Sequence, residues 1–264
     1  VPPGGGLSSS AALELATAHL LEAVTGQTLT PAERIQASVQ AERDMAGVPC
    51  GIMDQTVVEL AASGQALLLD CLDQTARSVP FDSQAPALLV IHSGVSHSLA
   101  EGAYAQRRAE CERASALLGV NSLREVSPDQ LARLKDEGVL HQRVTHVVTE
   151  NERVRDAVKA IEQGCWDRLG ALMTGSHRSL RDDYEVSCRE LDLLVELATV
   201  ERGVYGARMT GGGFGGCVIV LVETDQLEAV AGRISGQYDD RLGWAPECYR
   251  VQAGAGAREI CAAL

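Results

Sequence analysis

Lysine is almost absent from this chain. Of the 23 basic side chains among its 264 residues, only Lys135 and Lys159 are lysine, and the rest are arginine. No lysine falls in the first hundred residues, which excludes a Walker A loop there, because that motif runs into G-K-[ST]. Aromatic residues make up 3% against 45% hydrophobic overall, so any core is aliphatic and alanine-rich. No apolar run approaches the roughly 20 residues of a membrane span. Positive charge is outweighed, with a formal net charge of −13. This argues against nucleic acid and against anionic membrane surfaces as partners, since both repel such a chain. The eight cysteines contain no C-x-x-C pair, which argues against zinc and for free thiols in a reducing cytoplasm. The six histidines show no ligand spacing. No signal-peptide pattern is visible, but Val1 is not a natural start, which leaves room for a lost leader.

What is present alternates between helical and strand periods, in a length that suits one large or two modest domains. The first helix reads Ala11 to Val24, apolar on most sides and so expected to be largely buried, with Gly26 placed to stop it. Thr30, Pro31 and Glu33 form a capping box for a second helix running to about Met45. "QALLLDC" and "ARSVPF" predict two strands, and residues 83–86 a boundary. "ALLVIHSGVSH" predicts a buried strand. Ser98 with Glu101 caps a helix to about Leu118, and helical patterns continue over 128–135 and 144–175. Ser187 with Glu190 caps a further helix. "YGARMTGGGFGGCVIVLVE" reads as strand, glycine turn, strand. A helix over about 225–242 and a strand near Tyr249–Ala253 follow.

The most informative stretch is "GGGLSSSAALELA", Gly4 to Ala16. A helix N-terminus leaves backbone N–H groups unpaired and carries the positive end of the helix dipole. Gly4, Gly5 and Gly6 let an anion approach the backbone. Ser8, Ser9 and Ser10 add hydroxyls for phosphate oxygens or magnesium. On spacing alone, two readings stand level: a phosphate cradle, or serines that cap a helix after a glycine linker. Gly211, Gly213 and Gly216 match G-x-G-x-x-G but precede a strand, whereas a dinucleotide fingerprint must precede a helix.

Two carboxylates stand out. Glu42 falls on the apolar stripe of its helix marked by Ile35 and Val39, so it needs a partner, which on the residues alone reads as an arginine at the stripe's edge. Asp54 follows Gly51-Ile52-Met53 and reads either as a helix cap or as a proton acceptor. Tyr104, Cys111 and Leu118, spaced by seven, predict that Tyr104 faces inward.

"VPPGGGLSSSAA" resembles the ATP-binding motif of the GHMP kinases. "CGIMDQ" at 50–55, "SHRSLRDDYEVSCRELD" at 176–192 and "GARMTGGGFGGC" at 206–217 resemble the galactokinase branch of that superfamily. The resemblance runs nearly end to end. It implies an α+β GHMP kinase fold, with a truncated ribosomal-protein-S5-like first domain at 1–85, a ferredoxin-like second domain at 86–264, and the active site between them. It implies ATP-dependent phosphorylation of galactose in a cytoplasmic monomer. By the same resemblance, Gly4, Gly5, Gly6, Leu7, Ser8, Ser9 and Ser10 bind the triphosphate, and Ser9, Ser10 and Glu42 hold Mg²⁺. Asp54 serves the sugar C1 hydroxyl, Gly51 and Tyr104 line the sugar, and the glycine turn borders the site. The family's "GEHTDY"-type sugar signature and an accompanying arginine are absent. This implies a chain lacking an N-terminal portion and inactive by itself. The rival readings are an N-acetylgalactosamine kinase and a galactose-sensing transcriptional regulator. The intact Ser9-Ser10-Ala11-Ala12 step favours the enzyme over the sensor.

Overall fold

The computed structural model describes residues 6–47, 50–82, 85–96 and 100–259. It divides into two compact units. One holds the chain up to Ala85 together with the segment from Gln252 onward, and the other holds Pro86–Val251. The last segment, grouped with the second domain in the sequence reading, thus packs with the first. The reason is local pairing. Gly64 N–H donates to Ala253 O (3.0 Å), Gly256 N–H to Ala61 O (2.7 Å) and Ala257 N–H to Val58 O (2.7 Å).

The first unit contains α1 (Ser9–Thr25), α2 (Pro31–Ala41) continued by a π-helical turn (Glu42–Ala46), and α3 (Met53–Leu60). An antiparallel hairpin follows, β1 (Gln65–Asp70) and β2 (Thr75–Pro80). The punctuation is as the sequence predicts. Gly26 closes α1 with φ +70° and its N–H on Glu22 O, and Thr30 with Glu33 forms both halves of the capping box on α2. Burial of α1 is not as predicted. Only Ala11 and Leu15 are buried, whereas Leu13 is 71%, Leu20 62% and Val24 75% exposed. Within this unit α1 packs on α2 and α3, which cover one stripe of it.

Arg34 braces these three helices. Its guanidinium donates to Glu59 Oε1 of α3 (2.8 and 2.6 Å), to both carboxylate oxygens of Glu22 on α1 (3.1 Å) and to Leu29 O (2.6 Å). His19 of α1 meets the other Glu59 oxygen at 3.1 Å.

The second unit is built on an antiparallel sheet of order β4-β5-β3-β6. Its strands are β3 (Ala87–Ser96), β4 (Val204–Met209), β5 (Gly215–Val222) and β6 (Glu247–Val251). The helices are α4 (Ala100–Leu118), α5 (Pro128–Arg133), α6 (Val139–Glu162), α7 (Trp166–Asp182), α8 (Arg189–Thr199) and α9 (Leu227–Leu242). Leu191, Leu194 and Leu197 of α8 join Met209, Val218 and Val220 of the sheet in one core. A second cluster joins α4, α5 and α6 around Ala114, Leu134 and Val144.

Two expectations are corrected here. The pattern over 144–175 is two helices, because Gly164 at φ +63° turns the chain between α6 and α7. The N-cap of α8 is Cys188, without a side-chain bond, because the Ser187 hydroxyl donates to Asp192 Oδ1 at 2.6 Å instead. The Ser98–Glu101 cap falls outside the described residues.

His146 of α6 is buried, stacked on Tyr184 (centroids 4.4 Å apart) and 3.0 Å from Ser179 Oγ. Burial holds its pKa down to about 4, Arg153 and Arg208 acting in the same sense and Glu150 and Asp183 against it. The unfolded chain therefore takes up a proton that the folded ring refuses. Stability is present above about pH 6.5 and is lost as the pH falls through 6.5 toward 4. Urea midpoints measured across that window are expected to fall less steeply for His146→Gln than for the parent chain, and equal slopes would exclude the ring as the titrating group.

Candidate active site

The phosphate-loop candidate begins with an unusual backbone. Gly6 has φ +68°, and Ser8, the N-cap of α1, is also left-handed at φ 56° and ψ 38°. A non-glycine residue held there costs about 1–2 kcal/mol. Ser8 starts the helix through its carbonyl, which accepts from Ala12 N–H at 3.0 Å, but its hydroxyl makes no cap bond. The reading of the serines as ordinary caps therefore loses its support. The helix start keeps N–H groups unspent by a cap side chain, at the positive end of the dipole. Gly4 and Gly5 lie outside the described residues. Leu7 and Ser9 are half-buried, and Gly6 and Ser10 are exposed.

Ser10 leads into a chain of side-chain contacts. Its hydroxyl donates to Glu42 Oε1 at 2.8 Å. Gln55 Nε2 donates to the other Glu42 oxygen at 2.6 Å and to Glu14 Oε2 at 3.1 Å. Glu42 arrives there because α2 buries Ile35, Ser38 and Val39 and then widens into the π turn, with the Glu42 N–H shared between Ser38 O and Val39 O. Such widened turns recur at functional sites. Glu42 is half-buried, and the contacts that hold it come from Ser10, Gln55 and the Cys50 thiol rather than from an arginine. Ser9 takes no part in this network. Burial raises the Glu14 pKa, opposed by the Gln55 bond and reinforced by Glu42.

Asp54 stands in the first turn of α3, whose N-cap is Ile52 with no side-chain cap bond. Asp54 is therefore not the cap, and its exposed carboxylate sits at the positive end of this short helix. Arg43 fixes the approach to it by donating twice to Cys50 O, at 3.1 and 2.7 Å. Gly51 is exposed, and a Cβ built on it would meet nothing within 4 Å. Gln55 and Glu14 are the members sequence reasoning missed. A signal existed for each: Gln55 adjoins Asp54 inside a quoted motif, and Glu14 lies four residues after Ser10, on the same helix face.

Among the described residues, no three His, Cys, Asp or Glu side chains gather as a metal cage. What Ser10 and Glu42 offer is two hard oxygen donors 2.8 Å apart. That set suits Mg²⁺, which takes one or two protein ligands and fills its remaining positions with phosphate oxygens and water.

In the second unit the glycine turn joins β4 to β5, closed by Thr210 N–H to Cys217 O at 2.9 Å. Gly213 has φ +91°, and a Cβ on it would stand 2.2 Å from Val186 O, which also accepts the Phe214 N–H at 2.7 Å. Tyr104 is not an inward residue. It is 39% exposed near the start of α4, with its ring edge at van der Waals distance (3.9 Å) from a Cβ built on Gly212. The inward faces of α4 further along belong to Arg107 and Ala114.

Residues 1–62 match the family model described as GHMP kinases N terminal domain, and residues 157–240 match GHMP kinases C terminal. The galactokinase of Streptomyces coelicolor is 43% identical over 98% of this chain and 68% of its own length. The galactokinase of Lactococcus lactis, solved in complex with galactose, superposes with a TM-score of 0.92 at 34% identity, over 98% of this chain and 69% of that one. The chain belongs to the galactokinase family. Human galactokinase, a further member, is 45% identical over 99% of this chain, which spans 66% of the human protein's length. The α+β fold is thus the GHMP kinase fold. In this galactokinase-family chain the glycine–serine start of α1, Glu42 and Asp54 all lie in the region matched by the N-terminal family model.

Proposed function

We propose that this chain carries out the phosphate and proton handling of galactokinase: transfer of the γ-phosphoryl group of ATP to the C1 hydroxyl of D-galactose, giving galactose 1-phosphate and ADP. The observation that carries the reading is the Ser10–Glu42–Gln55 network at the start of α1, beside a left-handed, uncapped Ser8. Gly4 to Ser10 supply backbone N–H groups and hydroxyls to the triphosphate in place of a P-loop lysine. Ser10 and Glu42, with Ser9 adjacent, are the residues that would hold Mg²⁺. The ion would offset phosphate charge as the bond to the leaving oxygen loosens. Asp54 orients the sugar hydroxyl and accepts its proton as the new P–O bond forms. Gly51 and Tyr104 are assigned to the sugar. The seven described cysteines are all free thiols, which suits a cytoplasmic protein, and we read it as a monomer.

The direct test is galactose-dependent ADP release, measured on this chain and on the chain extended to the length of its relatives. Release from the extended enzyme that depends on both galactose and Mg²⁺ is expected. An extended enzyme that binds galactose and ATP yet releases no ADP would overturn the kinase reading in favour of a sugar sensor.

A further inference from the structure

We propose that Gln55 is a positioning residue, which fixes the orientation of the Glu42 carboxylate toward the cation and leaves its charge undiminished. The proposal rests on the kinase reading, in that Glu42 is taken as a magnesium ligand.

The geometry is specific. Gln55 is 0% exposed, in the first turns of α3, directly after Asp54. Its Nε2 holds Glu42 Oε2 at 2.6 Å and Glu14 Oε2 at 3.1 Å, while Ser10 approaches Glu42 Oε1 from the phosphate loop. The amide orientation is not arbitrary. Both partners are carboxylates, which accept only, so a flipped amide would set Oε1 against two negative groups. The consequence is visible: Oε1 is buried with no hydrogen-bond partner among the described residues. An unpaired buried carbonyl is unfavourable, and the fold tolerates it in order to keep the donor edge on Glu42 and Glu14.

The chemistry explains why the donor is an amide. A lysine or arginine here would neutralise Glu42 and compete with a bound cation. A glutamate would add a third carboxylate facing Glu14 and Glu42. An apolar side chain would leave Glu42 free to turn about its last torsion, which is broad and two-fold. A neutral donor alone orients the carboxylate and keeps its full negative charge. Because Gln55 follows Asp54 on the same short helix, any displacement of α3 moves the proton acceptor and the holder of the metal ligand together.

The test uses the full chain, with a fluorescent ADP derivative as the probe, and reads binding with and without Mg²⁺ rather than turnover. Gln55→Met keeps the length and removes the donor. It is expected to weaken the apparent Mg²⁺ affinity of the ADP complex about 10- to 100-fold, the range seen when a partner behind a metal ligand is removed. Metal-free ADP binding is expected to stay at the parent value. Glu42→Gln serves as the control on the ligand itself. If Glu42→Gln weakens Mg²⁺ dependence and Gln55→Met leaves it at the parent value, the positioning role is overturned while the metal reading stands. If neither substitution changes it, the metal assignment of Glu42 fails and the proposal with it. Equal loss of ADP binding with and without Mg²⁺ in Gln55→Met would show a merely structural side chain and also overturn the proposal.

Discussion

Asp54→Ala is expected to lower kcat for galactose-dependent ADP release by about 10²- to 10⁴-fold, the range for loss of a positioned general acid or base. The loss should appear in kcat, with ATP and Mg²⁺ binding unchanged, because Asp54 takes no part in the Ser10–Glu42–Gln55 network. Its place in α3 argues that the fold is indifferent to the carboxylate. It is exposed and caps nothing, since Ile52 is the N-cap. A stability effect would therefore be small, at most about 1 kcal/mol from the lost helix-dipole interaction, as urea midpoints of parent and variant would show. Asp54→Asn separates two roles. If the carboxylate removes a proton, the amide is nearly as inactive as alanine. If it mainly orients the hydroxyl in a loose transition state, the amide recovers much of the rate. A fall of less than tenfold in Asp54→Ala on the extended enzyme would remove Asp54 from the mechanism.

Gly206→Ala is expected to produce the largest stability loss, about 3 kcal/mol or more, at the upper end of overpacking effects. A Cβ on Gly206 would stand 2.1 Å from Gly170 O, 2.5 Å from its carbonyl carbon and 2.6 Å from its Cα. The reciprocal contact is as close, with a Cβ on Gly170 falling 2.0 Å from Tyr205 O. Every atom in the way is backbone, so no rotamer change relieves the clash. Either α7 lifts from β4 or the strand bends out of its pairing with β5, and both open the core around Met209 and Leu194. Gly236→Ala on α9 is the control. A Cβ there meets nothing within 4 Å, so the change should be neutral or stabilising by up to about 1 kcal/mol through helix propensity. Equal urea midpoints for the two variants would refute the close contact.

Much of the local punctuation was legible because its causes are local. Thr30-Pro31 with Glu33 makes a capping box from three adjacent positions, and Gly26 needs only the freedom to take φ +70°. The strand–turn–strand of 204–222 was equally plain, since alternation and a glycine run suffice to announce it. Errors arose where a remote or competing partner decided the outcome. Ser187 had the spacing of a cap, but Asp192 takes its hydroxyl. Tyr104 had the spacing of a core residue, but it lies in the first turns of α4, where a seven-residue period no longer implies cover.

For the candidate site the division is similar. The sequence alone determined the chemistry available: a glycine–serine helix start without lysine, a carboxylate on an apolar stripe, and an aspartate within the Cys50–Gln55 motif. Those follow from residue type and periodicity, which the order of residues contains in full. Only the tertiary structure decided that Ser10, Glu42, Gln55 and Glu14, drawn from three helices, meet in one hydrogen-bonded line. It also decided that Gly170 and Gly206 let α7 lie directly on β4. Contacts between positions 32 or 36 residues apart depend on how helices cross and how closely backbones approach. Those distances are set by packing of the whole unit and leave no periodic trace along the chain.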